Sequence, residues 1–161
     1  MLLPRLVVSI VSLLTLTGCV YTTSFRGPGY DAERGVTMGD KDQVVVALTK
    51  AVLREDGVGR SDFWTNVFVV SDSLAGRPGF VGSSLRTEVF GKNAWTMTVW
   101  TDEASLDDFV YGEVHQTAIR EGFGALQAVR FARLAVGRDA IPISWSRALE
   151  ILENEGRSYG G

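Results

Sequence analysis

Apolar and polar positions along the chain fall into patterned stretches separated by glycine-rich breaks. Gln43–Leu53 is β-branched and apolar (Val44, Val45, Val46, Leu48, Val52) and predicts a strand. Phe63–Leu74 places Phe63, Trp64, Val67, Phe68, Val70 and Leu74 near helical spacing, with Ser61 or Asp62 as the expected N-cap. Gly76-Arg77-Pro78-Gly79 breaks that helix. Phe80–Phe90 alternates, with Val81, Ser83, Leu85, Thr87 and Val89 expected on one face. Ala94–Thr101 puts Trp95, Met97 and Val99 on one face and Thr96, Thr98 and Trp100 on the other. The two strands flank Gly91-Lys92-Asn93 and predict a hairpin. Asp102-Glu103 is an acidic helix start, followed by Leu106, Phe109 and Val110 at helical spacing. Gly112 divides this helix from a second one over Glu113–Arg120, which Glu121–Gly124 ends. Leu126–Val136 predicts a fourth strand, and Ser144–Glu155 a last helix with Trp145, Ala148, Leu149 and Leu152 inward.

The predicted order is βαββαβ with an extra C-terminal helix, an α+β, ferredoxin-like pattern in which two helices cover one face of an antiparallel sheet. No helix is assigned to the other face, yet the hairpin is apolar on both sides. A second copy of the sheet is the expected cover, giving a homodimer, a dimeric α+β barrel. Val20 to Asp42 holds Gly27-Pro28-Gly29, Gly35 and Gly39 with no apolar period. Residues 19–42 are therefore expected to be a flexible tether, with the domain spanning 43–161.

Composition narrows the class without naming a chemistry. A net charge of −3 and a pI near 5.2 argue against a nucleic-acid partner. One cysteine excludes an intrachain disulfide and a four-cysteine zinc site, and one histidine excludes a multi-histidine metal site, so no metal is expected. No P-loop, Rossmann fingerprint or GxSxG is present. Upstream of the domain, Arg5 precedes an apolar run, Leu6–Leu16, which is too short for the ~20 residues of a membrane-crossing helix. The run ends in Leu16-Thr17-Gly18-Cys19, and the lone cysteine stands in that one place. This resembles the lipobox of bacterial lipoproteins. The resemblance implies that residues 1–18 are a cleaved signal peptide and that Cys19 is lipidated. The protein would then sit at a membrane on the extracytoplasmic side of the cell envelope.

A second resemblance lies in the stretch Trp95-Thr96-Met97-Thr98-Val99-Trp100-Thr101-Asp102-Glu103-Ala104-Ser105-Leu106-Asp107-Asp108-Phe109-Val110, with His115 shortly after, and in Gly79–Arg86 upstream. It is similar to dimeric α+β barrel domains of the antibiotic-biosynthesis-monooxygenase-like and spheroidene-monooxygenase-like families. The resemblance implies a small hydrophobic aromatic or polyketide-like ligand, bound or oxidised without a cofactor. Some members bind haem, which would fall to His115 here. Haem-degrading members carry their ligating His where this chain has Ile119, and a Trp where it has Phe109. These departures argue against haem degradation.

His115 is thus the candidate catalytic group, a base with a pKa class suited to proton transfer near neutrality. It could equally pack the short helix. Trp64, Trp100 and Phe109 are candidates to bind an aromatic ligand, although tryptophans at this spacing also build cores; the same holds for Trp95 and Trp145. Arg86, with Thr96 or Thr98 across the hairpin, could orient an anionic group or form an exposed cross-strand pair. Asn66 could meet a carbonyl or stay solvated. Asp102, Glu103, Asp107 and Asp108 lack a calcium-loop context and are read as a helix start with a solvated face. A non-catalytic envelope lipoprotein that uses the fold for self-association or small-molecule binding is the alternative function.

Overall fold

The computed structural model describes residues 19–159. The expected signal peptide, 1–18, lies outside them. Eight strands and four helices follow in the order β1 (Val20–Thr22), β2 (Tyr30–Asp31), β3 (Gly35–Val36), β4 (Gln43–Leu53), α1 (Arg60–Leu74), β5 (Phe80–Glu88), β6 (Asn93–Trp100), α2 (Glu103–Val110), α3 (Glu113–Gly122), β7 (Leu126–Gly137), α4 (Trp145–Glu155) and β8 (Arg157–Tyr159). Six strands form one antiparallel sheet in the order β1-β5-β6-β4-β7-β8. Its central four strands have the ferredoxin-like arrangement that the βαββαβ order predicts.

Local chemistry places most boundaries. β4 occupies the predicted strand because its β-branched residues suit a sheet buried on both sides. α1 begins three residues before the predicted Phe63. Its N-cap is Gly59 in the left-handed region (φ 72°), which glycine adopts without steric cost, and neither Ser61 nor Asp62 serves. The hairpin turn is longer than the sequence suggests. Glu88 Oε2 accepts the backbone N–H groups of Lys92 (3.2 Å) and Asn93 (3.1 Å), which ends β5 early and leaves Val89 and Phe90 outside the ladder. A register shift between Phe80 and Gly82 turns Val81 to the opposite face from Ser83, Leu85 and Thr87.

The helix-covered face carries Val45, Phe80 and Trp100, packed against Leu74 of α1 and Leu106 and Phe109 of α2. A neighbouring cluster joins Ala51, Leu53 and Ala94 to Phe63 of α1. The other face carries Val44, Val46, Leu48, Met97 and Val99, and it is not bare. Ala148, Ile151 and Leu152 of α4 lie on it, together with Val36 and Ile141 and the flanking Phe25 and Tyr30. The cover expected from a second copy of the sheet is thus supplied by the chain itself.

Residues 20–42 consequently belong to the fold and do not form a free tether. β1 pairs with β5, matching Val20 with Glu88 and Thr22 with Arg86. Phe25 and Tyr30 meet edge to face at 4.9 Å over the sheet. Gly27 crosses so close to β5 that a Cβ on it would collide with the backbone of Val81 and Gly82. Trp145 Nε1 donates to Ser84 Oγ (3.1 Å), which donates to the Thr23 carbonyl (2.7 Å), so α4 and this segment are joined through β5. The Arg138 guanidinium donates to the carbonyls of Val36 (2.9 Å), Gly39 (2.9 Å) and Lys41 (3.1 Å) and holds the remainder. None of this has a periodic signature, because most of these contacts join residues more than 50 positions apart.

Candidate functional site

Trp100 ends β6 on the helix-covered face and is 0% exposed. Its Nε1–H donates to Thr98 Oγ1 at 3.0 Å, which satisfies the one polar atom of the ring. Phe80 meets it edge to face at 5.2 Å, and Phe109 stacks on it at 5.0 Å. Phe109 in turn lies 4.7 Å from the imidazole of His115. Asp102 sets this geometry at the start of α2: its Oδ1 accepts the Ser105 N–H at 2.8 Å. That hydrogen bond holds its carboxyl below the usual carboxylate range.

His115 stands on the first turn of α3 with Nδ1 3.1 Å from the Val110 carbonyl. A carbonyl only accepts, so Nδ1 carries the proton and Nε2 keeps its lone pair. Burial pushes the imidazole pKa below its ordinary value, with the Val110 carbonyl opposing that shift. The ring is therefore neutral at pH 7, with a basic nitrogen that makes no hydrogen bond among the described residues.

The structure brings together Trp100, Phe109 and His115, and separates the other candidates from them. Trp64 meets Phe63 edge to face (5.2 Å) and Phe68 at a tilt (6.4 Å) on α1, in the neighbouring cluster. Arg86 is opposite Trp95 in the ladder, not Thr96 or Thr98, and its guanidinium lies over the Trp95 ring at 5.9 Å. It therefore occupies the face away from His115. Asn66 donates to the Asp62 carbonyl at 3.0 Å and lines an open groove of about 650 Å³ between α1 and α3. Thr65, Val69, Glu113 and Thr117 share that groove; His115 does not line it.

Two groups around Trp95 escaped the sequence reading. Lys50 lies over the Trp95 ring at 5.9 Å, and Arg130 is opposite Lys50 in the ladder. Their alternation along the strands was legible, but the strand order that aligns them was not.

Among the described residues, no three His, Cys, Asp or Glu side chains are gathered as a metal site. Phe109 lies against the His115 ring, and the acidic groove between α1 and α3 does not include His115.

No family model matches the chain, and neither does any curated protein. Solved structures do. One is a protein of Pseudomonas aeruginosa, 13% identical over 60% of this chain and 96% of that one, with a TM-score of 0.53. Another is a provisionally named antibiotic biosynthesis monooxygenase of Caulobacter crescentus, 10% identical over 58% of this chain and 89% of that one, at 0.51. A provisionally named monooxygenase of Lactobacillus acidophilus is 19% identical over 61% of this chain, with a TM-score of 0.48; this chain spans 49% of its length. What this chain shares with the Pseudomonas and Caulobacter proteins is the fold, a mixed α+β, ferredoxin-like sheet-and-helix arrangement of the antibiotic-biosynthesis-monooxygenase-like kind.

Proposed function

We propose that the chain is an envelope lipoprotein, anchored at the membrane through Cys19, whose monooxygenase-like domain binds a small hydrophobic aromatic or polyketide-like molecule beside His115. The observation that carries the binding reading is the row of rings Trp100, Phe109 and His115, stacked at the first step and tilted at the second, which ends in a neutral imidazole with an uncommitted Nε2. Such a nitrogen accepts a hydrogen bond from a phenolic or enolic hydroxyl and can take up its proton.

A second reading, an envelope lipoprotein without catalysis, draws on the burial of Trp100 and Phe109, which leaves the imidazole as the part of the stack nearest solvent. Titration of the full chain with anthrone-like and hydroquinone-like probes separates the two. The imidazole resonances of the single histidine should shift with saturation, and His115→Ala should weaken binding about tenfold or more. Oxygen consumption with the same probes would mark an oxidase. Binding without consumption would favour the non-catalytic reading, and no shift with any probe would defeat the ligand site at His115.

A further inference from the structure

We propose that the end of the sheet around Cys19 seats directly on the headgroup region of a phospholipid bilayer. The proposal rests on the anchor reading above and adds an orientation to it. Cys19 is not spaced from the domain: its carbonyl accepts the Val89 N–H at 2.9 Å, and β1 starts at the next residue. An acyl chain on Cys19 would therefore start at this edge of the fold.

The same end is unusually apolar for an exposed surface. Val20, Tyr21, Val89 and Phe90 surround Cys19 and are all exposed, Phe90 at 89%. Val58 and Phe123, also exposed, lie at the end of β4 and the start of β7. Hydrogen bonds from Leu53 N–H to the Lys92 carbonyl (2.7 Å) and from Arg54 N–H to the Ala125 carbonyl (2.9 Å) hold these loops at one level. Exposed aromatic and apolar side chains gathered at one end suit the membrane–water boundary.

Charge follows the same layout. About two residues back from the rim, Arg86, Trp95, Lys50 and Arg130 form one row across β5, β6, β4 and β7. No carboxylate pairs with these three cations among the described residues, and Nε of Arg86 and of Arg130 and Nε1 of Trp95 are buried without a hydrogen-bond partner. Of the acids at this end, Asp62, Glu121, Glu153 and Glu155 make no ion pair among the described residues, and the others are engaged. Glu55 pairs with Lys92 (2.7 Å), Asp56 with Arg54 (2.5 Å), and Glu88 with backbone N–H groups. Arg130 donates to the Glu153 carbonyl at 2.8 Å, whereas Lys50 and Arg86 lie over Trp95 without a carboxylate partner and set two positive charges just behind the apolar rim, which suits anionic headgroups.

The test uses the full chain produced in a bacterial host. Cys19 is the only cysteine, so Phe90→Cys carries the one free thiol of an acylated protein, and Phe68→Cys on α1 (60% exposed) is the matched control. Each is labelled with an environment-sensitive fluorophore and reconstituted into phosphatidylethanolamine–phosphatidylglycerol vesicles containing spin-labelled lipid. The label at 90 should be quenched several-fold more than the label at 68. The double variant Lys50→Gln/Arg86→Gln should reduce that difference in these vesicles and leave it unchanged in phosphatidylcholine. Intact mass reports acylation separately. Acylated Cys19 with equal quenching at 90 and 68 overturns the docking and leaves the anchor standing. An unmodified Cys19 in a protein absent from membranes overturns both.

Discussion

At the scale of single residues, three positions carry most of the physical argument. Trp100 is wholly buried between Phe80 and Phe109, so Trp100→Ala should cost about 3–5 kcal/mol, read as a lower denaturation midpoint. Gly27 has no room for a Cβ against the β5 backbone. Gly27→Ala should destabilise the domain by about 1–3 kcal/mol, whereas in a free tether the same change would be silent. His115 sets a pH dependence. Its folded pKa lies below the unfolded value of about 6.5, so the unfolded chain binds the proton more readily. Its contribution to stability is full above that value and is lost as pH falls from about 6.5 through the folded pKa. Thermal melts at pH 7.5 and 5.5 should show this loss, and His115→Gln should flatten it. The carboxyl of Asp102, held low by the Ser105 N–H, loses its contribution in a separate and more acidic window. The type of each of these residues was legible in the sequence. The stack itself was not, because Trp100, Phe109 and His115 meet only once α2 and α3 fold back against the sheet.

At the scale of elements, periodicity served well wherever an element packs one face regularly. β4, the β5–β6 hairpin, α2, α3, β7 and α4 all lie within a few residues of their predicted places. Their boundaries moved where a single side chain or backbone angle intervened, as Glu88 does at the hairpin and Gly59 at α1. Residues 20–42 gave no such signal: β1, β2 and β3 have three, two and two residues, and Phe25 and Tyr30 are isolated apolar positions. Tertiary contact alone orders this stretch. Arg138 is the main side-chain support of residues 36–41, so Arg138→Ala should raise proteolysis around 36–42 and leave the sheet intact.

For the molecule as a whole, the governing fact is that α4 and the N-terminal segment close the face on which a partner sheet was expected. Truncation before Ser144 should bare Val46, Leu48 and Met97 and drive association, visible as a concentration-dependent rise in mass by sedimentation. If the truncated chain stayed monomeric and folded, the sealing role assigned to α4 would be lost. The amino-acid sequence by itself determined the element order, the two-faced apolar character of the hairpin and the singular place of Cys19, since each is written in local spacing. Tertiary structure decided which elements cover which face, that Cys19 abuts the sheet, and that Arg86, Lys50 and Arg130 share a row. Those depend on strand order and register between distant residues, and local patterning carries no information about either.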